Sequence, residues 1–155
     1  MLEFGTMVSY VSDQSFRKFL IFSLILLLLS VSSFTVVFAQ KTVKEYIQDG
    51  IEKAKLGDFK EAIEDFNKAL IYNPVLDKAF HNRGLARYNL NDFYGAIEDF
   101  NHAIEQNTNY ISAYRNRGLA ELATNNKDAA CNDWIHINKS GYSDANDLIS
   151  QYCNK

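Results

Sequence analysis

The strongest constraint on this chain is a period. Gly50, Gly84 and Gly118 stand 34 residues apart. Tyr46, Phe80 and Tyr114 keep that interval, as do Ala62, Ala96 and Ala130, and Phe66, Phe100 and Trp134. Asp58 to Pro74, laid on Asp92 to Thr108, is identical at 10 of 17 positions. Asn-Arg-Gly-Leu-Ala occurs both at Asn82 to Ala86 and at Asn116 to Ala120. A repeat of this length is one supersecondary unit that cannot bury its apolar face alone, so successive units must stack.

Within each unit the spacing is helical. Ala62, Phe66, Ala69 and Leu70 share one face of a helix, and Tyr46, Ile47, Gly50, Ile51 and Ala54 share a face of the helix before it. Thr42 with Glu45, and Asp58 with Glu61, fit capping boxes at helix starts. Gly57-Asp58, Asn91-Asp92 and Asn125-Asn126 break paired helices where left-handed backbone is tolerated, and Pro74 marks an exit between units. The pattern predicts helices near 42–56, 59–72, 77–90, 93–106, 111–124 and 127–138. A last one, over 144–153, would be capped by Ser143. Short connections force antiparallel neighbours. The expected architecture is all-α.

These ladders resemble the tetratricopeptide repeat family over about residues 41–138. The resemblance rests on an aromatic early in the first helix, Gly four residues on, the Ala and aromatic ladder of the second helix, and the closing Pro. It implies a right-handed α-solenoid of antiparallel helix pairs, with units at about 43–76, 77–110 and 111–142 and a capping helix at 143–153. The units also depart from the pattern. Asp49, Arg83 and Arg117 stand where the family usually has Leu, Thr108 replaces a closing Pro, and Lys127 replaces an expected aromatic.

Ahead of the repeats, 22 residues from Phe19 to Gln40 carry no charge, and Arg17 and Lys18 precede them. A positive flank, an apolar run and small residues near its end read as a secretory signal over residues 1–39, cut between Ala39 and Gln40. An uncleaved anchor is the alternative, because about 20 apolar residues can span a bilayer. Both place residues 40–155 outside the cytosol, either periplasmic or secreted, or tethered to a membrane. Met7 is a possible alternative start.

Cys131 and Cys153 are the two cysteines. In an oxidising compartment they read as a disulfide; two free thiols at buried helix positions are the alternative. Ala145, Leu148, Ile149 and Tyr152 form one face of a final amphipathic segment expected to cover the helix of Trp134. The ending with Ala130, Cys131, Trp134, Gly141, Ala145 and Cys153 is also similar to a recurrent terminus of short exported bacterial repeat proteins.

Composition excludes several classes of activity. The formal charge is −3 with no basic block, which lacks the footprint of a nucleic-acid binder. His81, His102 and His136 are scattered without a His or Cys partner one helical turn away, so no metal site is expected. No glycine loop suits a phosphate, no cofactor is indicated, and no residue set suggests catalysis. Asp65, Arg83, Asp99, Arg117 and Asp133 alternate in sign at spacings of 18 and 16, predicting an ion-pair ladder between helices.

The family resemblance implies a concave groove lined by the first helices. By register it offers Ile47, Gln48 and Ile51, then His81, Asn82, Leu85, Tyr88 and Asn89, then Arg115, Asn116, Leu119 and Leu122. Asn and Gln there can hydrogen-bond an extended peptide backbone. The family's carboxylate clamp keeps only Asn82; Ile47, Ile51, Ser112 and Asn116 take the other positions, so binding of chaperone tails is not expected. The expected function is a non-enzymatic protein-interaction module with a peptide or protein partner. A membrane-anchored subunit or assembly factor of an envelope complex, and an enzyme with an unrecognised site, are the alternatives.

Overall fold

A computed structural model describes residues 17–25 and 41–153. The expected cleavage site at Ala39 and Gln40, and Met7, lie outside the described residues. The chain divides into two compact units, Met1–Lys41 and Thr42–Lys155. In the first, residues 17–25 form helix α1, exposed throughout. Among the described residues no helix is long and apolar enough to cross a membrane.

The second unit is a stack of helix pairs, an all-α solenoid without strands among the described residues. The pairs are α2 (Val43–Leu56) with α3 (Phe59–Tyr72), α4 (Asp77–Asn89) with α5 (Phe93–Gln106), and α6 (Ile111–Ala123) with α7 (Lys127–Lys139). α2 starts on the expected capping box: the Thr42 hydroxyl accepts from Glu45 N at 3.2 Å, and Glu45 accepts from Thr42 N at 2.6 Å. The second expected box is absent. Asp58 makes no side-chain cap bond, whereas its counterpart Asp92 accepts from Gly95 N at 3.1 Å. The pairs turn at left-handed residues, with φ of 89° at Gly57, 62° at Asn91 and 64° at Asn125.

The 34-residue ladders are the core. Phe66, Phe100 and Trp134 are fully buried, and each lies against the glycine of the partner helix. A Cβ added at Gly50 would meet the Phe66 ring at 2.7 Å, and one at Gly84 the Phe100 ring at 2.8 Å. Only glycine allows these helices so close. Between pairs, Ala69, Leu70 and Ala79 pack with Tyr46 and Phe80, and Ala103, Ile104 and Ala113 repeat this with Phe80 and Tyr114. A further ladder surrounds the aromatics. The Lys68 ammonium sits 5.9 Å from the Tyr46 ring centre, and His102 and His136 stack on Phe80 and Tyr114 at 4.9 and 4.5 Å.

The C-terminal segment is shorter than the spacing predicts. It comprises α8 (Asn146–Leu148) and a π-helical turn over Ile149–Cys153. Ala145 takes the cap position; Ser143 contributes only its carbonyl, which accepts from Asn146 N at 3.1 Å. Ala145 is fully buried and Leu148 nearly so, in one cluster with Ala130, Trp134 and Ile137. This pull on two apolar side chains starts the helix late. Cys131 and Cys153 are joined by a disulfide with Cα atoms 5.7 Å apart.

Candidate docking groove

α2, α4 and α6 are the first helices of the three pairs, and their facing residues, with Phe59 and Phe66 of α3, enclose two adjoining hollows. The larger, of about 260 Å³, has a floor of Ile51, Ala54, Phe59, Phe66, Leu85 and Ala86, with Asn82, Asn89 and Lys55 as its polar lining. The smaller, of about 190 Å³, is lined by Leu85, Tyr88, Asn89, Asn116 and Leu119. Leu85 and Asn89 belong to both, so the two form one trough along α4. Each is below the roughly 300 Å³ at which small-molecule sites begin, and suits single side chains of a longer guest.

The polar groups here differ in availability. Asn89 donates to Leu85 O of its own helix at 2.8 Å. Asn116 Nδ2 lies 3.1 Å from His81 Nε2, so its N–H donates there and the ring proton sits on Nδ1. The amide of Asn82 has no hydrogen-bond partner among the described residues. It is the groove's open donor and acceptor.

The structure thus brings Ile51, Asn82, Leu85, Tyr88, Asn89, Asn116 and Leu119 together, and places five expected groove residues elsewhere: Ile47 and Leu122 pack into the clusters around Ala69 and Trp134, and His81, Arg115 and Gln48 make other contacts. His81 is buried, stacked on Tyr110 at 4.7 Å and tilted against Phe100. Burial lowers its pKa to about 4 against the pull of the Ser112 backbone and Asp77, so it is a neutral core histidine. Arg115 donates to Asp144 O at 3.0 Å and ties α6 to the C-terminal segment. Gln48 bonds Glu52 one turn along its own helix. Ala54, Lys55 and Phe59 are lining residues that the reading of first-helix register alone omits. The signal was available: Ala54 and Tyr88 share a register position, and a small residue where its counterpart is large opens space.

The alternating charges form two separate pairs, not a continuous ladder. Arg83 grips the buried Asp99 with Nε at 3.0 Å and Nη2 at 2.6 Å, and Arg117 grips Asp133 at 2.8 and 2.5 Å. Both pairs are internal to one repeat. Across the repeat boundary each arginine donates instead to an asparagine, Arg83 to Asn67 and Arg117 to Asn101, both at 2.6 Å. Asp65 pairs with Lys53 and Lys68, because the first unit has Asp49 where the others have the arginine. The asparagines remove the need for a second carboxylate per arginine while still fixing register.

A glycine-and-aromatic stack of helix pairs on a 34-residue period is a helical repeat scaffold. Residues 50–75 and 77–110 match the tetratricopeptide repeat family model. No curated protein sequence matches the chain. Among solved structures it is similar to the first TPR of Spaghetti (RPAP3) bound to the HSP90 peptide SRMEEVD. That match has 24% identity and a TM-score of 0.69, and covers 72% of this chain and 90% of that one. The second TPR domain of human RPAP3, in complex with the HSP70 peptide SGPTIEEVD, matches at 21% identity and a TM-score of 0.66, covering 71% and 93%. The TPR2B domain of yeast Sti1, in a complex with pHsp70, matches at 25% identity and a TM-score of 0.57, covering 71% and 91%.

Proposed function

We propose that the chain is a non-enzymatic docking module, placed outside the cytosol, that holds an extended peptide or protein segment along the trough from Ile51 to Leu119. The observation that carries this is the Asn82 amide, without an internal partner, beside an apolar floor. An extended backbone supplies both an acceptor and a donor for that amide, and its side chains would fill the two hollows. Preformed helices bind such a guest without ordering themselves, which limits the entropic cost. The peptide complexes of the structural neighbours support this reading. Tails of their kind are not the expected guest here, because Ile47, Ile51, Ser112 and Asn116 leave only Asn82 of a carboxylate clamp. The apolar run before Gln40 and the Cys131–Cys153 bridge support the placement outside the cytosol.

Affinity capture with the full chain, beside an Asn82→Ala/Asn89→Ala variant, tests the groove. Both positions leave the core intact, whereas Asn116 is needed by His81. The wild-type chain should retain proteins that the folded variant loses; equal capture by both would remove the groove from the mechanism. The mass of the N-terminus in cells decides the tether: a chain starting at Gln40 excludes a retained anchor.

A further inference from the structure

The repeat register supplies an internal template for the larger hollow. In the second unit Tyr88 of α4 lies edge-on to Phe93 of α5, with ring centres 5.3 Å apart and planes at 65°. The same positions in the first unit are Ala54 and Phe59. Alanine carries no ring, so this face of Phe59 opens into the hollow instead of being covered from within the chain. The hollow is accordingly the larger of the two, about 260 Å³ against about 190 Å³. Its rim carries one charged side chain, Lys55, and no carboxylate lines it; the matching position in the second unit is the neutral Asn89.

Building on the groove reading, we propose that the trough selects a peptide bearing an aromatic residue beside an acidic one. The aromatic ring takes, on Phe59, the place that Tyr88 takes on Phe93, while Ile51 and Leu85 flank it. The carboxylate meets Lys55, and the Asn82 amide bonds the peptide backbone between them. An aromatic ring matches this pocket better than an aliphatic side chain because edge-on ring pairs gain from their quadrupoles beyond burial of area. This cation is not one of the clamp positions, so the guest need not end in a free carboxylate.

The test is selection of random linear peptides on the immobilised full chain, repeated on Ala54→Tyr and Lys55→Asn. Each variant installs the residue that the second unit already carries at that position, and circular dichroism checks its fold. Wild type should enrich sequences with Phe, Tyr or Trp next to Asp or Glu. Ala54→Tyr should bind them roughly tenfold more weakly or worse. Lys55→Asn should keep the aromatic preference and lose the acidic one. Enriched peptides without an aromatic, or equal binding by Ala54→Tyr, would overturn the pocket assignment and leave the groove reading standing. Should Ala54→Tyr fail to fold, an unchanged acidic preference on Lys55→Asn overturns the proposal and its loss supports it. Absence of any enriched peptide on wild type would overturn both readings.

Discussion

Gly118→Ala is the sharpest test of why the period exists. A methyl group there would stand 2.8 Å from Trp134 Cε2 and 3.0 Å from Cδ1. The indole cannot retreat. It is fully buried, held behind by Ala130, Ile137 and Leu148, and flanked by Tyr152 with ring centres 5.8 Å apart. Its Nε1 also donates to Arg115 O at 3.2 Å, a bond that any tilt would break. Overpacking of this kind costs about 1–3 kcal/mol, and the lost hydrogen bond about 1 kcal/mol more. Better helix propensity returns about 1 kcal/mol. The expected net loss is therefore about 1–3 kcal/mol, or a fall in melting temperature of about 4 °C or more for a domain of this size. Urea unfolding followed by fluorescence reads this directly, since Trp134 is the sole tryptophan. A variant as stable as wild type, or more stable, with unchanged native emission would show that glycine is not required for close approach here.

Three further outcomes follow from the same structure. Asp99→Asn should lose about 3–5 kcal/mol in chemical denaturation, because it leaves the Arg83 and Arg87 guanidiniums facing a buried neutral amide; an unchanged midpoint would remove the pair from the account. His81 has a folded pKa of about 4 against an ordinary 6.5, so its neutral form is the one that folds. The sign of its contribution is therefore fixed: stability is full above about pH 6.5 and falls as pH drops toward 4, by about 3 kcal/mol, and His81→Gln should flatten that slope in unfolding experiments between these pH values. Reduction of Cys131–Cys153, which closes a separation of 22 residues, should cost about 3 kcal/mol and alter Trp134 emission as the C-terminal segment loosens; a reduced chain with unchanged stability and emission would refute this.

Most of the stack was legible in the sequence because the repeat amplifies weak signals. One glycine near an aromatic says little; three of each in register identify the packed face of every helix. The six long helices fall within a residue of where periodicity puts them. The C-terminal segment was less legible because it has no repeat partner to confirm it. Burial of Ala145 against Trp134 overrode the capping preference of Ser143 there. The charge ladder misled for a related reason. Sign alternation reads opposite charges only, and the links between units run through neutral Asn67 and Asn101. Part of the groove was legible from first-helix register. His81 was not, since its burial depends on Tyr110 at the far end of its own unit and on Asn116 of the next. Phe59 was not, because it lies on the second helix of its pair, whereas the groove was read from first helices alone.

Docking of partners in the trough along α2, α4 and α6 can be read directly by crosslinking. A photoactivatable residue placed in turn at Leu85, within the trough, and at Glu98, exposed on α5, tests it in the cells that make the protein. Leu85 should give covalent adducts that are absent from Glu98. Adducts from Glu98 with none from Leu85 would contradict it.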